Sequence, residues 1–313
     1  MKKLIFLYIF ILVSCGETKQ DISQPHIIKS SSTYLKILGV AQDAGFPQIN
    51  CYKSCCKDLW NDKYLRKMVS CIGIADEENQ TCYLLDATPD IKDQLSILQK
   101  NQTLQLGGIF LTHAHMGHYT GLMHLGREAM GAKKIPVYAM PRMGKMLEEN
   151  APWSQLVKLE NIEIQPIQNQ VEVALKNIKV TPLQVPHRDE FSETVGFKIR
   201  SKNKSALFIP DIDKWKKWDS NILDEIRKVD YAFLDGTFFQ NGEIPGRDMS
   251  LIPHPFMEES MDLFKELPTE EKNKIYFIHF NHTNPVLQSA SKAKTEIQNN
   301  GFHIAEEGQV FDL

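Results

Sequence analysis

Apolar and polar positions divide the chain into three regimes. Leu4 to Val13 is an unbroken apolar run behind Lys2 and Lys3, and Gly16 to about Ser32 is polar and without period. From Tyr34 onward short apolar runs alternate with polar turns. Strand-like runs lie at Tyr34–Val40, Ser70–Ala75, Thr81–Ala87, Gly107–Thr112, Ile135–Ala139 and Ile162–Pro166. Further strands fit Ile178–Val185, Thr194–Arg200, Ser205–Ile209, Tyr231–Leu234, Ile275–Ile278 and Val310–Leu313. Helical spacing appears at Pro89–Leu98, Arg142–Glu149, Pro255–Leu267 and Pro285–Asn299. Another helix is expected from about Tyr119, with Leu122, Met123, Leu125 and Met130 on one face. Strands and helices mixed on this scale predict an α/β fold of two packed sheets covered by helices. No Pro/Gly-rich linker divides residues 34–313, which are therefore expected to form one domain.

The first apolar run is too short for a membrane span, which takes about 20 residues, but suits the core of a secretory signal. It ends in Leu12-Val13-Ser14-Cys15-Gly16, which resembles the lipobox of bacterial lipoprotein precursors. The resemblance implies a signal peptide over residues 1–14, cleavage before Cys15 and lipidation of its thiol. Residues 15–33 would then tether the domain to the membrane in the cell envelope, on the periplasmic or outer-membrane side.

Lys and Arg number 36 against 39 Asp and Glu, so no basic face points to a nucleic-acid partner. Beyond Cys15 stand Cys51, Cys55, Cys56, Cys71 and Cys82, an odd number that cannot all pair internally. Cys71 and Cys82 fall in strand-like runs and read as core. Oligomeric state is not legible in the sequence.

The sharpest chemical signal is Thr112-His113-Ala114-His115-Met116-Gly117-His118-Tyr119-Thr120-Gly121-Leu122. Just after a buried strand, His113 and His115 can turn to one side, and His118 can reach the same point from a helix start. Three histidines within six residues suit a metal site, because each buried imidazole needs a polar partner. Neutral imidazoles bind zinc and also iron or manganese. His124, farther along, reads as structural.

This segment resembles the His-x-His-x-Asp-His-x-x-Gly-Leu motif of the metallo-β-lactamase superfamily. The resemblance implies a four-layer αββα sandwich with one or two active-site zinc ions, iron or manganese being possible substitutes. It further implies a metal ligand at His187 after Val180–Val185, a bridging Asp211 after Leu207–Pro210, and a last His279 after Ile275–Ile278. Metal-bound hydroxide would hydrolyse an ester, lactone or phosphodiester bond in a small-molecule substrate, with Asp211 orienting the water. Where the motif has its acid, this chain has Gly117. That departure implies a weakened second metal site or a mononuclear one on His113, His115 and His187. Asp213, two residues beyond Asp211, is either a substitute carboxylate or a solvated loop acid.

Within the superfamily the chain is more similar to the pyrroloquinoline quinone synthesis protein B family and its phosphodiesterase relatives. The likeness rests on Gly45-Phe46-Pro47-Gln48-Ile49-Asn50-Cys51, Asp235-Gly236-Thr237-Phe238 and Ile278-His279-Phe280-Asn281-His282-Thr283-Asn284-Pro285. It implies a structural zinc site of Cys51, Cys55, Cys56 and His282, with a disulfide among the three cysteines as the competitor. It also implies either a catalytic role for His254, as proton donor or substrate contact, or an exposed loop position. Two rivals to the hydrolase stand: an iron-dependent oxygenase like the quinone-synthesis relatives, and a non-catalytic ligand-binding lipoprotein.

Overall fold

The computed structural model describes residues 32–100, 102–288 and 291–313. The expected signal peptide and the expected lipidation at Cys15 fall outside these residues.

Fourteen strands form two sheets among the described residues. The first contains β1 (Thr33–Gly39), β2 (Cys71–Asp76), β3 (Thr81–Leu85), β4 (Gln105–Phe110), β5 (Ile135–Ala139), β6 (Ile162–Pro166) and β14 (Val310–Asp312). Its order is β14-β1-β2-β3-β4-β5-β6. The second contains β7 (Val173–Ala174), β8 (Lys179–Gln184), β9 (Val195–Arg200), β10 (Ser205–Ile209), β11 (Tyr231–Asp235), β12 (Ile275–Ile278) and β13 (His303–Ile304). Its order is β13-β12-β11-β10-β9-β8-β7. In the first sheet the pairs from β14 to β3 are antiparallel and those from β3 to β6 parallel; in the second those from β7 to β10 are antiparallel and those from β10 to β13 parallel. Parallel strands present their carboxyl ends on one rim, where loops can carry chemistry.

Period-two alternation sorts side chains between layers. Leu35 and Ile37 of β1, and Tyr83 and Leu85 of β3, join Ile178, Phe197, Ile199 and Phe208 in the core between the sheets. Phe110 and Phe197 meet across that interface edge to face, with ring centroids 5.6 Å apart. Tyr34, Leu38, Cys82 and Leu84 point the other way. There they meet Leu98 of α1 (Ile91–Gln99) and Met143 and Leu147 of α3 (Pro141–Glu149). Over the second sheet, α5 (Ile222–Arg227), α6 (Met257–Phe264) and α8 (Lys292–Asn299) contribute Ile226, Phe264 and Ile297. The expected helix–sheet–sheet–helix layering is present.

Several boundaries differ from those expected. In place of the helix expected from Tyr119, one helical turn, α2 (Met116–Tyr119), ends there and a 3-10 segment follows over Thr120–Leu125. Leu122 and Leu125 are buried, but Met123 and Met130 are exposed, so no single helical face exists. The cause is steric: a Cβ on Gly121 would lie 2.1 Å from the Thr88 carbonyl oxygen, so the chain hugs the β3 end instead of rising as a regular helix. The expected helix Pro285–Asn299 divides into a 3-10 turn at Pro285–Leu287 and α8. Three short helices went unforeseen, α4 (Trp153–Lys158), α5 and α7 (Thr269–Lys272). Trp215 and Trp218 are core residues bonded through Nε1 to Ser260 and to the Gln184 carbonyl.

Candidate metal centre

The site forms where loops leave the carboxyl ends of β1, β4, β8, β10, β11 and β12. Asp211, 2% exposed, stands at its centre. Its Oδ2 lies 3.3 Å from His113 Nε2 and 3.9 Å from His115 Nδ1, and its Oδ1 lies 3.2 Å from His187 Nε2. One ligand atom from each of these four residues lies within 4.8 Å of every other. A second set adjoins it: Asp43, His118 and His279, also mutually within 4.8 Å. His118 Nε2 is 3.9 Å from Asp211 Oδ2, so one carboxylate faces both sets.

The imidazole tautomers follow from their outer partners. Thr112 Oγ1 donates to Asp86 at 2.9 Å and therefore accepts from His113 Nδ1 at 2.9 Å. His118 Nδ1 donates to Asp86 Oδ2 at 2.7 Å, and His187 Nδ1 to Asp213 Oδ1 at 3.3 Å. Thr237 Oγ1 donates to Asp235 at 2.6 Å and accepts from His279 Nδ1 at 3.0 Å. His115 turns Nε2 toward Glu190 at 3.4 Å, leaving Nδ1 facing inward. With Nδ1 engaged outward on His113, His118, His187 and His279, it is Nε2 that each of these rings turns inward, as His115 turns Nδ1. His118 Nε2 and His279 Nε2 stand 3.3 Å apart, close enough to be served by one cation.

The same grammar recurs on both sheets. Asp86 after β3, with Thr112, orients His113 and His118; Asp235 at the end of β11, with Thr237, orients His254 and His279. His254, 6% exposed, bonds Asp235 Oδ2 through Nδ1 at 2.9 Å and sits 3.2 Å from Asp211 Oδ1. It is therefore a buried member of the site and not an exposed loop residue.

Electrostatics follow this packing. Burial opposes charge on Asp211, yet His187, His254, His113 and His115 together hold its carboxyl well below the usual range. Burial, with His118 beside it, pushes His113 down, and burial likewise lowers His279. His254 is pulled down by burial but pushed up more by Asp235 and Asp211, to about 9.

Asp43, Asp86, Thr112 and Thr237 carried no sequence-based role, though an acid directly after the buried run Tyr83-Leu84-Leu85 was a readable sign for Asp86. Backbone strain marks three acceptors that orient or complete the site: Asp43, Asp86 and His279 have φ of 22°, 74° and 70°. Non-glycine residues are rare there and concentrate at functional sites. Asp213 is not a substitute ligand. It lies behind His187, with Oδ2 bound to Lys217 Nζ at 2.7 Å.

Apart from this centre, Cys51, Cys55 and His282 offer ligand atoms mutually within 4.8 Å, with the two Sγ atoms 3.7 Å apart. Cys56 is buried beside them but outside that set. The five described cysteines are free thiols, and Cys71 and Cys82 are wholly buried. His124 lines a separate cavity with Leu95 and Met130 that includes none of the clustered histidines.

Residues 81–280 match the family described as the Beta-lactamase superfamily domain. The chain belongs to this superfamily. Among curated proteins it is 26% identical over 312 residues to coenzyme PQQ synthesis protein B of Klebsiella pneumoniae (strain 342), covering 90% of this chain and 98% of that one. The solved structure of zinc-bound PqqB from Methylobacterium extorquens superposes with a TM-score of 0.74 at 22% identity, covering 90% of this chain and all of that one. A diphosphatase of the PhnP family superposes with a TM-score of 0.60 at 20% identity, covering 90% of this chain and 97% of that one. The fold is thus the metallo-β-lactamase fold.

Proposed function

We propose that this protein is a metal-dependent hydrolase acting on an ester, lactone or phosphodiester bond of a small molecule. The observation that carries this reading is a set of buried acceptors without hydrogen-bond partners: His113 Nε2, His115 Nδ1, His187 Nε2 and Oδ1 of Asp211. Each such group costs about 1–3 kcal/mol when left unsatisfied, and four together rival the net stability of a domain, about 5–15 kcal/mol. One water has two protons to offer four acceptors; a divalent cation serves all four. Three imidazoles and a carboxylate suit zinc, and tolerate iron or manganese.

A cation held by His113, His115, His187 and Asp211 would supply a Lewis acid and lower the pKa of water toward about 7. The chain's own groups complete the chemistry. Asp211 presents a carboxylate that can accept a hydrogen bond from the attacking water and fix its direction. His254 has Nδ1 committed to Asp235, so its other nitrogen holds the proton for the leaving oxygen, and a pKa near 9 keeps that proton available at neutral pH. Arg188, exposed at the mouth with a guanidinium nitrogen 3.4 Å from His115 Nε2, gives an anionic substrate group a partner.

A second reading is oxidative. It is favoured by the likeness to coenzyme PQQ synthesis protein B over 90% of the chain, and a histidine-rich cradle accepts Fe(II). Metal content of protein purified without added metal, paired with chromogenic ester, lactone and phosphodiester substrates, separates the two. Turnover by the zinc-loaded protein supports hydrolysis. Inert zinc protein alongside oxygen consumption by the iron-loaded protein would replace it with the oxidative reading.

A further inference from the structure

The superfamily motif places an acid where this chain has Gly117, and the structure shows what fills that space. An ideal Cβ on Gly117 would lie 2.4 Å from Asp43 Cα, 2.7 Å from Asp43 Oδ1 and 2.9 Å from the Asp43 carbonyl oxygen. Contacts under 3.0 Å with backbone cannot be relieved by rotating a side chain. No residue but glycine fits at 117 while Asp43 is where it is.

Asp43 comes from the loop after β1, 74 residues before Gly117. Its Oδ1 lies 3.2 Å from His118 Nε2 and 4.0 Å from His279 Nε2. That oxygen is buried and has no hydrogen-bond partner, although the side chain as a whole is 39% exposed. An acid that is free to hydrate both oxygens, yet keeps one buried between the inward nitrogens of two imidazoles, is aimed. Asp43 also holds a positive φ of 22°, a backbone conformation that non-glycine residues rarely adopt and that concentrates at functional sites.

We propose that Asp43 is the carboxylate ligand of a second metal ion, held with His118 and His279 and shared through Asp211, and that it replaces the motif acid missing at Gly117. The acid and the glycine have exchanged places: one loop supplies the carboxylate, and the motif gives up its side chain to admit that loop. The centre is therefore dinuclear, in contrast to the mononuclear site that Gly117 alone implies. This inference rests on the cation-binding reading of His113, His115 and His187.

The test is zinc content in solution together with anomalous scattering at the zinc edge from zinc-loaded crystals. Wild type, Asp43→Asn and the exchange variant Asp43→Gly/Gly117→Asp would be compared. Position in the map distinguishes these ions from any zinc at Cys51 and Cys55. Expected are two ions around Asp211 in wild type, loss of the one at His118 and His279 in Asp43→Asn, and its return in the exchange variant. Affinity for the second ion should fall at least tenfold in Asp43→Asn, the scale on which even outer partners act (roughly 10–100-fold). Asp43→Asn preserves size and fold, so its loss of zinc cannot be charged to unfolding. Full retention of the second ion by that variant would overturn the proposal. Zinc at His113, His115 and His187 with none beside Asp43 in wild type would overturn it alone; an empty cradle at all these residues would remove the hydrolase reading as well.

Discussion

His118 Nδ1 lies 2.7 Å from Asp86 Oδ2, and neither side chain has any exposed surface. Burial pulls the His118 ring down, but Asp86 and Asp43 outweigh it and hold the ring well above its usual value. Asp86 also accepts from the Thr112 amide and hydroxyl at 2.8 and 2.9 Å, so one carboxylate fixes two ligand-bearing segments. In Asp86→Asn the amide turns a donor toward one of these partners. Zinc affinity should fall roughly 10–100-fold while circular dichroism is unchanged. Competition against a chromophoric chelator measures it, and unaltered affinity would remove Asp86 from any positioning role.

His113→Ala and His115→Ala should abolish turnover and strongly weaken the first metal ion without unfolding the chain. In each, the lost ring is an acceptor that lacked a protein partner, so the destabilisation of metal-free protein should stay within the few kcal/mol usual for buried truncations. Steady-state kinetics and thermal melts check this together. Undiminished turnover in either variant would refute the ligand assignment.

Glu243 gives a pH dependence remote from the clustered histidines. Burial raises its carboxyl to about 7, against the bonds from Thr283 Oγ1 and the Phe239 amide. At this group the folded state therefore binds a proton more tightly than the unfolded chain, and its contribution to stability is greatest at low pH. It should decline as pH rises from about 4.5 to about 7, then level. The full shift converts at 1.36 kcal/mol per unit; discounted for partial exposure, it leaves about 1–2 kcal/mol. Glu243→Gln should flatten this slope in denaturant melts; identical slopes in both proteins would exclude the mechanism.

Zinc should protect Cys51 and Cys55 from alkylation. Their thiols and the partnerless Nδ1 of His282 form one cluster, and a coordinated thiolate is withdrawn from reaction. Cys71 and Cys82, wholly buried with thiols pushed upward by burial, should stay inert with or without metal and serve as internal controls. Peptide mass spectrometry after timed iodoacetamide treatment reads all four. Equal labelling of Cys51 with and without zinc would argue against a metal there.

Phe197→Ala should cost about 3–5 kcal/mol. The ring is fully buried where the sheets meet and packs against Phe110. Zinc affinity should change little, because Phe197 touches no clustered ligand. Urea melts combined with zinc titration test both halves of the statement.

Much of this was legible in the chain. Strands such as Ile135–Ala139, Ile162–Pro166, Ser205–Ile209 and Ile275–Ile278 match residue for residue, because alternating burial between two sheets imprints period two on the sequence. His113, His115, His118, His187, Asp211 and His279 do converge, since each follows a strand whose carboxyl end reaches the same rim. Illegible were groups whose role depends on tertiary neighbours. Asp43 sits in a loop with no periodicity, and only folding brings it onto Gly117. Asp213 looked equivalent on spacing alone, yet the turn after Asp211 carries it behind His187. The helix after Tyr119 failed because close approach of Gly121 to β3 overrode helical spacing.

Asp43 and Gly117 both follow strands of the first sheet, while His187 and His279 follow strands of the second. Recombination with a relative that keeps its acid in the motif is thereby constrained by where the crossover falls. A junction between β6 and β7 inherits donor loop and glycine as a unit. A junction between residues 43 and 117 yields, in one product, two acids competing for the same volume and, in the reciprocal product, none. With Asp43 packed onto position 117, these two positions can be exchanged only in concert.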